Sequence, residues 1–254
     1  MIYNPVIQII PAFQTRPEPL LPGVPFLRVA EFYCDTIQGE NMVGYPAAFL
    51  RLQGCMLHCT YCDSTEVWRT GEPYSYDELF KLMDEADLPR KLYKGQHLVI
   101  TGGSPLLQEK SIIGFLEEFL KEYEFKPFIE IENECVFMPT QTNYVDCWNN
   151  SPKLASSGIG LALRHKPDVL LKLSGLQNSW FKFVISEATQ WTEIYDYFLK
   201  PGLIQRRQIV LMPEGASLSE LEKTRPVALQ MAIDNNVRYT DRLHIQLFNK
   251  KIGV

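Results

Sequence analysis

The stretch LRLQGCMLHCTYCDS (50–64) places Cys55, Cys59 and Cys62 within eight positions. Six cysteines in 254 residues make a C-x3-C-x2-C cluster rare by chance, so the spacing points to a metal or redox site. Two chemistries suit these residue types. Zinc closes its structural sites with four ligands, and His58, between two of the cysteines, would complete a Cys3His set. An iron–sulfur cube holds four irons, so three thiolates leave one iron open to a ligand from outside the protein. Cys34, Cys135 and Cys147 read as small buried hydrophobes, and His97, His165 and His244 as residues that satisfy local structure rather than bind metal.

The elements that must position such a loop follow an alternating pattern. Residues 1–27 carry six prolines, at 5, 11, 17, 19, 22 and 25, which excludes a long helix or central strand and predicts an extended arm. Beyond it, the strands AAFLRL (47–52), HLVIT (97–101), FIEIE (128–132), YVDCW (144–148), WFKFVI (180–185), QIVLM (208–212) and LHIQLF (243–248) alternate with helical patterns. Those helices lie at 75–86, 111–123, 191–199 and within 217–235; the first opens with Ser75 and Glu78, a capping box. Repeated βαβ units predict an α/β fold with a mostly parallel sheet in a closed or partial barrel, and function is expected on loops at the C-terminal strand ends. The cysteine loop, Gly102-Gly103, NNSPK (149–153) and MPEG (212–215) all follow predicted strands and fall on one rim.

Composition narrows the class. With 46% hydrophobic and 22% charged residues the chain is ordinary globular protein, and a net charge of −5 argues against a dedicated nucleic-acid binder. No apolar run approaches a membrane span, and the N-terminus lacks the pattern of a signal peptide, so a reduced, cytoplasmic protein is expected.

The aromatic Tyr61 before the last cysteine makes the loop resemble the radical S-adenosylmethionine (SAM) enzymes, in which SAM chelates the open iron and is cleaved by an electron from the cluster to a 5′-deoxyadenosyl radical. The longer run FYCDTIQGENMVGYPAAFLRLQGCMLHCTYCD (32–63), followed by VITGGSPLLQ, SPK, FKFVI, MPEG and RLHIQLF, resembles the 7-carboxy-7-deazaguanine synthase family over about residues 30–254. That resemblance implies an incomplete, TIM-like β/α barrel spanning 28–254 behind the 1–27 arm. It implies a lyase that converts 6-carboxy-5,6,7,8-tetrahydropterin to 7-carboxy-7-deazaguanine with loss of ammonia, for queuosine or 7-deazaguanine biosynthesis. A homodimer, an external electron donor such as a flavodoxin, and no nucleic-acid or membrane partner are implied with it.

The same resemblance assigns roles residue by residue. Cys55, Cys59 and Cys62 would hold a [4Fe-4S] cluster. Tyr61, Cys62, Asp63, Gly103, Ser151, Pro152, Lys153, Met212, Pro213, Glu214 and Gly215 would bind SAM. Ile37, Gln38, Gly39, Arg51, Thr101 and Val254 would bind the pterin, Arg51 because a planar guanidinium grips a carboxylate bidentately. Ser64, where the family usually has threonine, would offer Mg²⁺ a hard oxygen. The sequence departs from the family at Ser104, where a glutamate usually follows Gly-Gly, at IEIENEC (129–135), which leaves Glu132 without a role, and at Phe248-Asn249. Two rivals stand beside this reading: a radical SAM activase acting on a protein glycyl radical, and a non-catalytic iron–sulfur or zinc module.

Overall fold

The computed structural model describes residues 6–15 and 19–249. Among the described residues ten strands form one sheet: β1 (Ile7–Ile10), β2 (Phe26–Ile37), β3 (Pro46–Leu52), β4 (Glu72–Ser75), β5 (His97–Gly102), β6 (Phe128–Asn133), β7 (Cys147–Asn150), β8 (Ser179–Ile185), β9 (Ile209–Pro213) and β10 (Arg238–Tyr239). From β3 through β5, β6, β7, β8 and β9 to β10 all neighbours are parallel, whereas β2 pairs antiparallel with β1, β3 and β4. The strand order ends at β1 on one side and β10 on the other, so the barrel is open among the described residues.

Helices cover the outer face. The principal ones are α1 (Thr65–Arg69), α2 (Tyr76–Glu85), α3 (Leu88–Tyr93), α4 (Glu109–Tyr123), α5 (Leu161–Arg164), α6 (Pro167–Ser174), α7 (Gln190–Ile194), α8 (Leu218–Asn235) and α9 (Leu243–Phe248). Ser75 and Glu78 cap α2 reciprocally: the serine hydroxyl accepts from the Glu78 N–H at 3.3 Å, and the carboxylate accepts from the Ser75 N–H at 2.8 Å. Ile112, Phe115, Leu116 and Phe119 of α4 join Leu50, Leu98, Ile100 and Phe181 in the core between sheet and helices. β8 alternates strictly, with Phe181, Phe183 and Ile185 buried outward and Lys182 and Val184 turned into the barrel.

Three expectations change. The 12-residue β2 has no counterpart in the sequence reading, although it is the strand on which the antiparallel edge is built. β7 begins at Cys147 because Asp146 is occupied in the preceding loop, where its carboxylate accepts from the Ile129 N–H at 2.9 Å and pairs with Lys126. LHIQLF (243–248) is not a strand but the helix α9. The short β10 already takes the sheet edge beside β9, and Asp241 accepts from the Arg242 N–H and the Gln246 side chain, so the chain turns over the barrel mouth.

Candidate active site

Parallel pairing brings the C-terminal ends of β3, β5, β6, β7 and β9 to one rim, and a cavity of about 480 Å³ opens there. The cysteine loop leaves β3 at this rim and is tied down at several points. The Gly54 N–H donates to Trp68 at 3.0 Å, the Thr60 N–H to Ser157 at 3.1 Å, and the Ser104 N–H to Gly54 at 2.8 Å. The Ser104 hydroxyl in turn accepts from the Met56 N–H at 3.2 Å. Gly103 has a steric reason: a Cβ there would lie 2.3 Å from Cys55 Cβ, so only glycine lets β5 end against the loop.

Cys55, Cys59 and Cys62 are free thiols that all line the cavity. Among the described residues no three His, Cys, Asp or Glu side chains converge on a single metal position. His58, the fourth ligand of the zinc alternative, lies on the outer side of the loop against Trp68, with ring centroids 5.1 Å apart. Three thiols spread around a cavity wall, with His58 turned away from it, fit an iron–sulfur cluster better than a Cys3His zinc site. Trp68 Nε1–H donates to the Cys62 sulfur at 3.5 Å. Burial raises the Cys62 thiol, but bonds from Thr65, Trp68 and Ser64 outweigh it and favour thiolate; burial holds Cys59 up.

Inside the barrel, cross-strand register lines up a polar row. Glu31 of β2 lies opposite Arg51 of β3, and Arg51 opposite Thr101 of β5. Arg51 Nε donates to Glu31 at 2.7 Å, and Thr101 Oγ1 donates to Glu132 of β6 at 2.8 Å. Lys182 of β8 pairs with Glu40. Burial opposes charge on Arg51, but Tyr33, Glu31 and Glu132 outweigh it; for Lys182, Glu40 and Glu132 do the same. Glu132 has its pKa raised to about 7, first by burial and then by Glu40, with Lys182, Thr101 and Arg51 opposing. One layer deeper, the buried Glu130 accepts from Asn149 at 2.7 Å and Gln38 at 3.0 Å and contacts His97 Nδ1 at 2.7 Å.

Of the residues singled out from sequence, Ile37, Gln38, Gly39, Arg51, Cys55, Cys59, Tyr61, Cys62, Asp63, Ser64, Thr101, Gly103, Ser151, Lys153 and Met212 share this cavity. Pro152, Pro213, Glu214 and Gly215 adjoin it in the chain but do not form its wall, and Val254 lies outside the described residues. Gln38 shapes its own turn, its Oε1 accepting from the N–H groups of Gly39 and Glu40 at 2.8 and 3.1 Å. The sequence reading gave no site role to Glu31, Tyr33, Glu132, Glu134, Lys182, Arg242 or His244, which also line the cavity. Two signals were available: Glu130 and Glu132 share one face of an apolar strand, and Lys182 interrupts an aromatic one. Arg242 and His244 gave none, because α9 read as a strand. Arg242 pairs with Asp63 across the mouth, while His244, expected to satisfy local structure, is held neutral with its pKa lowered to about 3 by burial and by the cations Arg242, Arg51 and Lys182.

Comparison with known proteins agrees with this geometry. A family model described as a 4Fe-4S single cluster domain matches residues 37–134. The chain is 30% identical over 248 residues to the 7-carboxy-7-deazaguanine synthase of Halobacterium salinarum, covering 89% of this chain and 91% of the relative. It is 32% identical over 215 residues to that of Rickettsia prowazekii, covering 82% and 83%. The crystal structure of QueE from Escherichia coli superposes with a TM-score of 0.63 at 20% identity, over 85% of this chain and 94% of that one, and shares its fold. With three free thiols at the rim of an open β/α barrel and relatives matched along nearly their whole length, the chain belongs to the 7-carboxy-7-deazaguanine synthase family of radical SAM enzymes.

Proposed function

We propose that the chain is a carbon–nitrogen lyase that converts 6-carboxy-5,6,7,8-tetrahydropterin to 7-carboxy-7-deazaguanine, releasing ammonia, and so feeds queuosine or 7-deazaguanine biosynthesis. The observation that carries this reading is one cavity holding both a three-thiol loop and the inward row Arg51, Thr101, Glu132 and Lys182. A site of about 480 Å³ has the size of small-molecule pockets, which favours a pterin over the polypeptide of a glycyl-radical activase.

Cys55, Cys59 and Cys62 would hold the [4Fe-4S] cluster, and the wall of Tyr61, Gly103, Ser151, Lys153 and Met212 would hold SAM. Together these cofactors would supply one-electron and hydrogen-atom-transfer chemistry at C6 of the pterin. The chain's own residues do the rest. Glu31 engages Arg51 through Nε, which leaves the outer guanidinium nitrogens for the planar pterin carboxylate. Ile37, Gln38 and Gly39 wall the pterin side of the cavity. Glu132, with a pKa near neutrality, is suited to hold and pass a proton as the ring contracts and nitrogen leaves as ammonia. Tyr33 and Phe49, stacked at 5.5 Å, give the inner wall apolar surface.

Ser64 lines the same cavity, its hydroxyl 3.8 Å from the Cys62 sulfur. It would offer Mg²⁺ one hard oxygen, with substrate oxygens and water supplying others. On the outer side of the cysteine loop an open groove of about 630 Å³ is lined by Cys55 with Arg28, Arg69 and Lys110, a basic surface on an acidic protein and suited to an acidic electron donor such as a flavodoxin. Among the described residues no helix is long and apolar enough to cross a membrane. In this reading residues 28–254 are the catalytic unit, which works as a homodimer; residues 1–27 are an arm, whose Ile7–Ile10 adds a strand at the sheet edge.

The test is anaerobic reconstitution with iron and sulfide, followed by reductant, SAM, the pterin and Mg²⁺, with product read by mass spectrometry. Formation of 7-carboxy-7-deazaguanine, abolished by C55A, C59A or C62A, is expected. SAM cleavage without the product would place the substrate elsewhere.

A further inference from the structure

Glu134 follows β6 directly and turns into the cavity at the end where the cysteines lie. The residue is 3% exposed, and no cation pairs with either carboxylate oxygen, neither of which meets a donor in good hydrogen-bond geometry. A buried carboxylate without a partner is costly whether it ionises or stays protonated, and it is retained where a cation or donor arrives from outside. The nearby cation does not supply that partner: Lys153 Nζ donates to the carbonyl and hydroxyl of Ser151, at 2.7 and 2.9 Å. Ser104, next to Gly103, uses its N–H and the acceptor side of its hydroxyl on the cysteine loop; its O–H lowers the Glu134 carboxyl only in part and supplies no charge. Burial pushes the Glu134 carboxyl up, with its own backbone N–H, the Ser104 hydroxyl and Lys153 opposing only in part.

We infer that Glu134 is the anionic acceptor for the α-ammonium group of SAM, a role for which this chain has no carboxylate at position 104. The inference rests on the reading that the cavity takes SAM. The methionine end of SAM presents one ammonium to the wall, and Glu134 is a buried carboxylate with no cation paired to it on that wall. The contact would neutralise the stranded carboxylate and fix the amino group, which orients the sulfonium relative to the three cysteines. Glu134 acts here as a SAM-positioning residue, with no part in proton transfer.

The test is anaerobic calorimetric titration of the cluster-loaded protein with SAM and with its analogue lacking the α-amino group, using wild type and E134Q. Loss of a hydrogen-bonded charge pair is expected to weaken SAM binding about 10- to 100-fold in E134Q, while its affinity for the desamino analogue matches wild type. Without SAM, E134Q should melt no lower than wild type, because the substitution removes a stranded charge. If E134Q does not retain its cluster, E134D replaces it, and an intermediate loss confined to SAM is expected. Equal SAM affinity in wild type and variant, or equal losses for SAM and the desamino analogue, overturns the role of Glu134 alone. Failure of cluster-loaded wild type to bind SAM overturns the reading of the cavity and this inference together.

Discussion

Arg51 offers the sharpest separation of binding from folding. Its guanidinium and Glu31 form an ion pair at 2.7 Å, with side chains 17% and 4% exposed. R51L leaves Glu31 buried with no cation, and removing one partner of such a pair costs about 3–5 kcal/mol. Arg51 keeps some solvent contact, so the lower end applies. About 3 kcal/mol corresponds to a fall of about 6–12 °C in Tm for a chain of this size. R51L/E31L removes both charges and should regain most of that stability. Pterin binding should not recover, since hydrogen bonds to a charged group contribute about 1.5–3 kcal/mol, or about 10- to 150-fold in KM. The assays are thermal unfolding of the cluster-loaded protein and KM for the pterin at saturating SAM. If R51L melts with wild type, the pair is not structural. If the double variant binds pterin normally, Arg51 is not the carboxylate anchor.

Four further sets of variants carry expected outcomes. E132Q should lower kcat about 10²- to 10⁴-fold and remove the limb of the pH–rate profile near pH 7. Because the folded pKa of Glu132 lies above its ordinary value of 4.5, its contribution to stability is full below about pH 4.5 and lost as pH rises through about 7; E132Q should therefore gain on wild type in urea titrations at pH 8.5 relative to pH 6. C55A, C59A and C62A should each lose cluster absorbance and iron, whereas C34A and C147A, buried away from the cavity, should retain both. R69E/K110E on the basic groove should raise KM for an acidic protein donor and flatten its salt dependence, with dithionite-driven turnover unchanged. S75A should cost about 1 kcal/mol through loss of the α2 cap, read as a lower urea midpoint.

The sequence by itself determined what depends on local spacing. Cysteines at 55, 59 and 62 must share one short loop whatever the fold, and period-2 and period-3.6 patterns located β3, β5, β6, β8, β9 and α4 because each buries an apolar face. Tertiary structure decided what depends on neighbours. LHIQLF reads as a strand until the sheet edge is seen to be taken and the segment covers the cavity mouth as α9. Glu31, Arg51, Thr101 and Glu132 are up to 101 positions apart, and only the register of β2, β3, β5 and β6 places them side by side. The raised pKa of Glu132 comes from burial and from Glu40, neither of which the strand FIEIE encodes locally. Side chains that act through chemistry at a distance become visible only when strand pairing sets which of them meet, because burial and charge proximity are properties of the assembled barrel.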